Sequence, residues 1–260
     1  MGSVSVVIAV KNEADKIQTC LEHVTWADEI IIVDNNSTDN TVEICRKYTK
    51  KIFHCGGGKY NYIPFIQNFG IKKATKDWIL VLDADVIVPE NAKIEILART
   101  QQSDCVGYYV PHRMVAFGKV LEYALFCNIL KLFKRGMGEF DCSSAHCTLN
   151  LSGKIGTLQN YVLHYAHPSI ETFIKKMNLY TSQDAKKVME TGKGGLLNKN
   201  LRTIKVYDLL IEPLLYGLYL YGIKKYYKDK LYGLIISVLM SFYLFLERAK
   251  VIELRNNAHE

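Results

Sequence analysis

The first 110 residues alternate between short apolar runs and longer amphipathic stretches. The apolar runs have the length and composition of buried β-strands, and they are residues 4–10, 29–33, 51–54 and 78–83. The stretches between them place apolar residues at helical spacing, and they cover about 12–25, 41–48 and 64–74. Strand–helix alternation at this spacing predicts βαβ units, and therefore an α/β fold with a mostly parallel sheet and flanking helices.

The remainder of the chain has a different pattern. A helix is expected to start near Pro89, and Val106 to Pro111 reads as a further strand, followed by mixed short β-like pieces to about residue 165. An amphipathic helix is predicted from Ser169, a good N-cap residue, to about Glu190. Residues 192–195, rich in glycine, are expected to form a flexible link.

Two strongly apolar segments follow this link, at residues 206–222 and 231–246, separated by a lysine-rich stretch. The second has 16 uncharged residues, short of the ~20 that a spanning helix needs, and the first carries Asp208, Glu212 and Pro213. Two helices lying in one membrane leaflet fit this pattern better than a spanning hairpin. The alternative is a helical subdomain whose apolar faces are buried in protein.

Charge and composition narrow the class of protein. The 260 residues can hold one large domain, or one domain with an appendage, and carry a net charge of +7. From residue 186 onward 13 Lys/Arg face 7 Asp/Glu, so the basic surplus belongs to the apolar C-terminal portion. This combination favours an anionic membrane surface over nucleic acid, for which no recognition motif is present.

The cysteines and the N-terminus indicate a cytosolic setting. Seven scattered cysteines without a CxxC pair predict neither a disulfide framework nor a zinc site, and reduced thiols are the simple interpretation. The N-terminus runs directly into the first strand, which is too short for a signal peptide.

The stretch Trp78–Asp85 organises the candidate chemistry. An apolar strand ends at Asp83-Ala84-Asp85, whose two carboxylates are spaced i, i+2 and therefore point to the same side of an extended chain. Open α/β sheets bind ligands at the carboxyl ends of their strands, and hard oxygen ligands suit Mg²⁺ or Mn²⁺. The alternative is a structural role, in which Asp83 caps a turn and Asp85 begins the next helix.

Three further motifs accompany Asp-Ala-Asp, and two of them also follow predicted parallel strands. They are Ile8-Ala9-Val10-Lys11-Asn12-Glu13 after the first strand, Val33-Asp34-Asn35-Asn36-Ser37-Thr38-Asp39 after the second, and Gln67-Asn68-x-Gly70 within a helix. The three strand-end motifs can converge on one cleft, which chance would rarely produce.

With these motifs the chain resembles family-2 glycosyltransferases of the GT-A fold, a Rossmann-like α/β architecture. It is most similar to the bacterial branch that adds sugars to the lipopolysaccharide or lipooligosaccharide core. The stretches that carry this resemblance are Gly70-Ile71-x-x-Ala74, Trp78-Ile79-Leu80, Phe117-Gly118-Lys119, Leu132-Phe133-Lys134-Arg135-Gly136, Gly153-Lys154-Ile155-Gly156, Leu163-His164-Tyr165, Pro168-Ser169-Ile170 and residues 238–243.

The resemblance implies a role for each motif. Asp34 would accept a hydrogen bond from the uracil ring of a UDP-sugar, and its alternative role is helix capping. The nucleotide slot would be lined by Ala9, Lys11 and Glu13, and Asn68 would also contribute to donor binding. Asp83 and Asp85 would hold the diphosphate through Mg²⁺ or Mn²⁺, with Asp85 acting in catalysis. His164 would be a third metal or diphosphate ligand, although a lone histidine is often structural. Lys176 would contact the diphosphate or acceptor, although a solvated helix face would look the same.

The match breaks where the branch places a His-Glu pair before a Gly-Lys turn. An inverting transfer to a hydroxyl needs a general base, and this chain offers His146 followed by Cys147. A thiol is a poor substitute for a carboxylate unless its pKa is lowered. His146 itself, Glu139 or Asp141 could take the role. Alternatively, the acceptor is already anionic, as polyprenyl phosphate is, or the protein binds nucleotide-sugar or a partner without turnover.

These expectations combine into one functional hypothesis. The chain is divided into a nucleotide-sugar-binding half at residues 1–110, an acceptor-side half at 111–195 and a helical, membrane-associating region at 196–260. The enzyme is expected to move a sugar from a nucleotide-diphosphate donor to a lipid-linked glycan, while bound peripherally to the cytoplasmic face of a membrane. Inversion at the anomeric carbon is implied by the family alone.

Overall fold

The computed structural model describes residues 2–56, 63–101, 104–141 and 148–257. Contacts within the chain define two compact units, each built from two segments. The first unit comprises Met1–Arg113 and Cys127–Tyr165, and the second comprises Met114–Phe126 and Ala166–Glu260. The division into donor-side, acceptor-side and membrane-associating regions is a statement about function, and it stays a prediction.

The described residues form both strands and helices. The helices are α1 (Ala14–Glu22), α2 (Thr41–Cys45), α3 (Ile63–Lys73), α4 (Glu90–Gln101), α5 (Ile170–Thr191), α6 (Glu212–Gly222) and α7 (Lys230–Asn257). The strands are β1 (Val4–Val10), β2 (Glu29–Asp34), β3 (Ile52–His54), β4 (Trp78–Asp83), β5 (Val86–Ile87), β6 (Gly107–Ala116), β7 (Lys119–Val120), β8 (Cys127–Lys134), β9 (Gly138–Asp141), β10 (Thr148–Leu151), β11 (Ile155–Thr157), β12 (Val162–His167), β13 (Lys193–Gly194) and β14 (Lys199–Asn200).

The first unit is organised around four neighbouring parallel strands in the order β3-β2-β1-β4. Nearly every residue of β1, β2 and β4 is buried, as expected for strands covered on both faces. The predicted α/β class and the parallel βαβ core are therefore confirmed. Beyond β4 the pairing changes, because β8 runs antiparallel to β4 and β6 antiparallel to β8.

Helix α3 packs directly on this sheet through Gly70. A Cβ atom at this position would lie 2.5 Å from the Val7 Cγ1 atom and 2.8 Å from the Val33 Cγ2 atom, closer than carbon atoms approach. Glycine therefore lets the helix backbone come close to β1 and β2. The same close packing holds Gln67, one turn earlier, near the carboxyl end of β4.

The second unit is mainly helical. Its core is formed by buried side chains from the Met114–Phe126 segment, α5, α6 and α7, among them Leu121, Phe173, Met177 and Ile236. Ser169 is the N-cap of α5, since its hydroxyl accepts a hydrogen bond from the Thr172 N–H at 3.1 Å, and this prediction is confirmed. The expected flexible link at residues 192–195 is wrong, because β13 and β14 pair there as a short antiparallel ladder.

The first apolar C-terminal segment, residues 206–222, has one face with acidic residues and one apolar face. A π-helical turn at Tyr207–Ile211 precedes α6 and accommodates Pro213 in the first turn of that helix. Asp208 and Glu212 turn toward the protein, where the Lys199 ammonium lies 2.7 Å and 3.1 Å from their carboxylates. The opposite face exposes mainly aliphatic side chains to solvent, among them Leu210, Ile211, Leu214, Leu215 and Leu218.

Helix α7 continues this apolar surface and packs along α6. Its exposed residues Leu231, Leu234, Val238 and Phe242 recur at helical spacing, so they form one stripe. We call the exposed apolar residues of the two segments, Leu210, Ile211, Leu214, Leu215, Leu218, Leu231, Leu234, Val238 and Phe242, the apolar face. In the parts of the chain that the structure describes, no helix is both long enough and apolar enough to cross a membrane.

Candidate active site

The loops that follow β1 and β2 are cross-linked to each other at the carboxyl edge of the sheet. The Asn12 side-chain oxygen accepts a hydrogen bond from the Thr38 N–H at 2.8 Å, and the Ser37 hydroxyl accepts one from the Asn12 N–H at 3.0 Å. The Glu13 N–H donates to the Thr41 hydroxyl at 2.8 Å. Of the predicted slot residues, Glu13 is therefore held against the loop after Asp34, together with its neighbour Asn12, by hydrogen bonds between main-chain N–H groups and side-chain oxygens.

Asp34 lies at the end of β2 and is buried, with 2% of its surface exposed. Its carboxylate accepts a hydrogen bond from the Ser37 N–H at 3.1 Å within the loop after β2. This contact is not a helix cap, because α2 begins only at Thr41, whose N–H donates to Asp39. The Nδ1 atom of His54, at the end of β3, lies 3.1 Å from the other carboxylate oxygen. A carboxylate has about four acceptor positions, so these contacts leave capacity for a further donor.

Asp83 ends β4 next to Ala9 of β1. The Lys131 ammonium, carried by β8, lies 3.4 Å from both of its carboxylate oxygens. The Gln67 side chain donates a hydrogen bond to one of them at 3.1 Å. Burial works to raise the pKa of Asp83, but Lys131 and then His164 outweigh it, and the net effect lowers the pKa. The carboxylate is therefore ionised and already has a cation beside it.

Asp85 has different neighbours, although it is only two residues away. The His164 Nε2 atom lies 3.0 Å from its Oδ1 atom, and the Lys16 ammonium lies 3.9 Å from its Oδ2 atom. Lys16 also lies 3.4 Å from Glu13, so it connects the nucleotide slot to the Asp-Ala-Asp motif. The Asp85 main-chain carbonyl accepts a hydrogen bond from the Tyr165 N–H at 2.9 Å, which fixes the strand that carries His164.

A second histidine, His112, is fully buried beside this cluster, with its ring centroid 6.1 Å from that of His164. Burial lowers the pKa of His112 to about 4, so the ring is neutral at neutral pH. Its Nδ1 atom lies 2.8 Å from the Val110 carbonyl, to which it donates, and its Nε2 atom has no hydrogen-bond partner among the described residues.

The fit of a divalent cation can be tested on these distances. Neighbouring octahedral ligands of Mg²⁺ at roughly 2.1 Å lie about 3.0 Å apart, and the His164 and Asp85 atoms have this spacing at 3.0 Å. Within the described ranges no group of three His, Cys, Asp or Glu side chains could hold a metal ion. Asp85 and His164 could therefore supply at most two ligands to such an ion.

The other predicted site residues have separate outcomes. His146 and Cys147, at the expected base position, lie outside the described residues. The Asn68 side-chain amide donates to the Phe140 carbonyl and accepts from the Phe140 N–H, each at 2.7 Å, which anchors β9 to α3. Lys176 belongs to the second unit, where it donates to the Ala166 carbonyl at 3.0 Å. Donor contacts by Asn68 and Lys176 stay predictions.

Three residues of the cluster were missed in the sequence: Lys16, His112 and Lys131. Lys131 had a local signal, since a lysine interrupts an apolar run between Leu130 and Leu132, both of which are buried. Lys16 looked like an ordinary exposed residue of an amphipathic helix. Nothing in the local sequence distinguishes His112.

The parallel βαβ sheet, with its strand-end carboxylates gathered at one edge, has the architecture of the GT-A fold. A comparison with family models gives the particular family. Residues 5–152 match the model described as glycosyl transferase family 2, which is more than half of the chain. The protein belongs to glycosyl transferase family 2, and the expected enzyme class is confirmed.

Two related proteins agree with this family assignment. An uncharacterized glycosyltransferase of Rickettsia typhi is 26% identical over 98% of this chain and 88% of its own length. The lipopolysaccharide core biosynthesis glycosyltransferase LpsC of Rhizobium meliloti is 26% identical over 95% of this chain and 91% of its own. The resemblance to the lipopolysaccharide branch is therefore confirmed at the level of similarity.

Solved structures confirm the fold. The mannosyltransferase PcManGT from Pyrobaculum calidifontis, in complex with GDP-Man and Mn²⁺, gives a TM-score of 0.56 at 16% identity, covering 96% of this chain and 87% of its own. Residues 1–349 of TarS from S. aureus, in complex with UDP, give a TM-score of 0.52 at 15% identity, covering 98% and 92%.

Proposed function

We propose that this protein transfers a sugar from a nucleotide-diphosphate donor, with UDP as the expected nucleotide, to a lipid-linked glycan such as a lipopolysaccharide core. The observation that carries the proposal is the cluster of Asp34, Asp83, Asp85 and His164 at one edge of the sheet, with two ammonium groups beside it. The similarity over nearly the full length to LpsC, which is named for lipopolysaccharide core biosynthesis, supports the acceptor class.

The donor nucleotide would bind along the carboxyl edge of β1 and β2. The buried Asp34 carboxylate would accept the imide N–H of uracil, and the cross-linked loop at residues 9–13 would line the base and ribose. PcManGT binds GDP-Man, and guanine also presents N–H donors to a carboxylate. The nucleotide is therefore the first quantity to measure.

The diphosphate would lie at Asp83 and Asp85. Mg²⁺ or Mn²⁺ held by Asp85 and His164 would offset the charge that develops on the leaving nucleoside diphosphate. Lys16 and Lys131 would add positive charge on either side of the diphosphate, and the neutral His112 would help to exclude water from the cluster.

The acceptor side has two candidate chemistries. A sugar hydroxyl needs a base, for which His146 is the expected residue, with Glu139 and Asp141 as alternatives. A polyprenyl phosphate would be an anionic nucleophile that needs no base, and the Cys147 thiol in place of the family's glutamate favours this second candidate. Its product would be a charged, alkali-labile lipid formed on membranes that lack lipopolysaccharide.

Both candidate acceptors are anchored in a membrane by a lipid. The apolar face supports a location at the membrane surface, which we propose to be that of the cytoplasmic leaflet. Leucine, isoleucine, valine and phenylalanine side chains cover the outward side of α6 and α7. Four lysines, at 224, 225, 228 and 230, lie in and around the turn between these helices. Exposed apolar stripes beside lysines suit an anionic bilayer interface.

Calorimetric titration with a panel of UDP- and GDP-sugars, with Mn²⁺ and with chelator, tests the donor site. We expect one nucleotide-sugar to bind in a metal-dependent way, and Asp85→Asn to weaken it at least tenfold. Asp104→Asn is the matched control, since Asp104 is exposed and paired with Lys154 on the surface. If no nucleotide-sugar binds the wild-type protein, the transferase proposal fails and a partner-binding role replaces it.

Vesicle sedimentation tests the membrane surface. The wild-type protein should bind vesicles containing phosphatidylglycerol, and the double variant Leu214→Glu, Leu218→Glu should be released. Ile94→Glu is the matched control, because Ile94 is an equally exposed apolar residue on α4. Equal binding by the wild-type protein and the double variant would contradict a role for the apolar face.

A further inference from the structure

We propose that the helical unit contains a binding cavity for a lipid phosphomonoester, a lipid whose terminal phosphate carries close to two negative charges. The cavity has a volume of about 340 Å³. It is lined by residues 119–121, at β7, and by residues 228–232, where the turn after α6 leads into α7. The inference rests on the membrane location proposed above and deepens it, because it names the lipid chemistry that this unit recognises.

Hydrogen bonds join the two walls of this cavity, which we call the lysine cavity. The Asp229 carboxylate accepts the N–H groups of residues 122–124 at 2.7–2.9 Å. The Tyr226 hydroxyl accepts the Leu125 N–H at 3.1 Å. Gly233 lets α7 begin directly against the turn, since a Cβ atom there would overlap the Tyr226 carbonyl oxygen. The cavity is therefore a fixed feature of this unit.

Two of the lysines that line the cavity are held in place by local structure. Lys119 follows the two-residue loop between β6 and β7, in which Phe117 and Gly118 have φ angles of 53° and 76°. Two positive φ angles in such a loop are typical of a type I′ turn, which fixes the strand residue that follows it. The Lys228 ammonium lies 4.8 Å from the centroid of the Tyr123 ring, a favourable cation–π contact.

The lining of the cavity is positively charged. It includes Lys119, Lys228 and Lys230 and a single acidic residue, Asp229, whose oxygens are already occupied by three N–H donors. Glu122, on the neighbouring segment, is not part of the lining. In the part of the chain that the structure describes, no carboxylate forms an ion pair with these three lysines. A phosphomonoester, with a charge of about −1.5 to −2, balances this surplus better than a singly charged phosphodiester.

The rim of the lysine cavity is continuous with the apolar face. Leu231 lines the cavity, is 65% exposed, and begins the stripe that continues through Leu234, Val238 and Phe242. At 1.5 Å per residue this stripe is about 16 Å long, which is about half of the ~30 Å hydrocarbon core of a bilayer. An alkyl chain attached to a phosphate in the cavity can therefore lie along the stripe over the depth of one leaflet. Free phosphate would leave the stripe uncovered.

Vesicle binding by the full-length protein measures the preference for a phosphomonoester. The vesicles contain either phosphatidic acid, which is a phosphomonoester, or phosphatidylglycerol, which is a phosphodiester, at contents that give equal zeta potentials. We expect the wild-type protein to bind phosphatidic acid vesicles about fivefold more tightly, because the additional charge lies within reach of the three lysines. The double variant Lys119→Gln, Lys228→Gln should bind both kinds of vesicle equally.

The matched control loses the same charge outside the cavity. Lys224→Gln with Lys225→Gln removes two lysines of the same turn that do not line the cavity. This variant should bind both kinds of vesicle more weakly and keep the preference for phosphatidic acid. Circular dichroism verifies the folding of both double variants. Equal binding of the two lipids by the wild-type protein, or loss of the preference in both double variants alike, overturns the proposal.

A soluble probe separates this proposal from the proposed membrane location. Dihexanoyl phosphatidic acid, below its micelle concentration, and inorganic phosphate are titrated calorimetrically without vesicles. The short-chain lipid should bind about tenfold more tightly than inorganic phosphate, because its chains cover apolar surface. Leu231→Gln should weaken the lipid about threefold and leave inorganic phosphate unchanged.

The outcomes of this titration are distinct. If the wild-type protein binds dihexanoyl phosphatidic acid through Lys119 and Lys228 but does not bind vesicles, the membrane location fails and the lysine cavity stands. If inorganic phosphate binds as tightly as the short-chain lipid, the cavity is a site for free phosphate and the proposal is overturned. Absence of binding by both soluble probes overturns it as well.

Discussion

Glu247 on α7 is expected to make the helical unit less stable as the pH rises. Only 1% of this residue is exposed. Burial raises the pKa of Glu247 to about 7, the Asp184 carboxylate adds to the rise, and Arg248 opposes it. The other carboxylate near it, Glu212, is paired with Arg248 at 2.6 Å, so this arginine is already engaged.

The direction in which stability changes with pH follows from comparing the protons bound by Glu247 in the folded and unfolded chains. In the unfolded chain the carboxyl loses its proton near pH 4.5, whereas in the folded protein it keeps it until about pH 7. Between these values the folded state binds more protons, so stability is greatest below pH 4.5 and is lost as the pH rises through 7. A gap from 4.5 to about 7 corresponds to a loss of about 3 kcal/mol.

Glu247→Gln removes this loss while keeping the shape of the side chain. At pH 8 the variant should be more stable than the wild-type protein by up to ~3 kcal/mol, and at pH 5 the difference should fall below ~1 kcal/mol. Urea unfolding followed by far-ultraviolet circular dichroism measures it, since α5, α6 and α7 belong to this unit. The two tryptophans, Trp26 and Trp78, report on the first unit in the same experiment.

Glu253→Gln is the matched control, because Glu253 is exposed on the same helix and its substitution should change stability little at either pH. The reasoning would be refuted if Glu247→Gln changed stability equally at pH 5 and pH 8. A loss of stability at pH 8 would refute it as well, because it would mean that the ionised carboxylate stabilises the fold.

Two further predictions concern carboxylates that the fold uses as acceptors. Burial opposes ionisation of Glu29, but hydrogen bonds led by Lys51 and including Thr75 lower its pKa to about 2. Glu29→Gln should therefore cost about 2 kcal/mol at pH 7, a difference that disappears as the pH falls from 4.5 toward 2, measured by tryptophan fluorescence during urea unfolding. The Asp229 carboxylate accepts three main-chain N–H groups, from residues 122–124, at 2.7–2.9 Å. Asp229→Ala should destabilise the helical unit by about 3 kcal/mol, and Asp229→Asn by less, in urea unfolding followed by circular dichroism.

The parallel strands could be predicted because each is buried on both faces, which leaves a continuous apolar run in the sequence. Residues 4–10, 29–33 and 78–83 were identified in this way, and the structure places β1, β2 and β4 there within one residue. The strand β6 was expected at residues 106–111, but its antiparallel pairing with β8, and that of β8 with β4, could not be predicted. Pairing of β4 with β8 depends on a register between segments about fifty residues apart, and no local pattern encodes it.

The same limit explains which site residues were missed. Asp83, Asp85 and His164 carry recognisable motifs, whereas Lys131 reaches Asp83 only because Leu80 pairs with Leu132 across the sheet. The acidic residues of the first apolar segment were a related difficulty. In the sequence, Asp208 and Glu212 argue against membrane contact by this segment. In the structure both carboxylates form ion pairs with Lys199, on the side of the helix away from the apolar face.

The different surroundings of the two aspartates decide how the site should be probed. Replacing Asp83 leaves the buried Lys131 ammonium without a counter-charge, so lost function in Asp83→Asn would mix a defect in binding with a defect in folding. Replacing Asp85 removes the partner of His164 and of Lys16, and the Lys16 side chain is 35% exposed, so that water can solvate it. Asp85→Asn is therefore the clean test of metal and donor binding, and Asp83→Asn is interpretable only together with Lys131→Met. The motif alone would have recommended either variant.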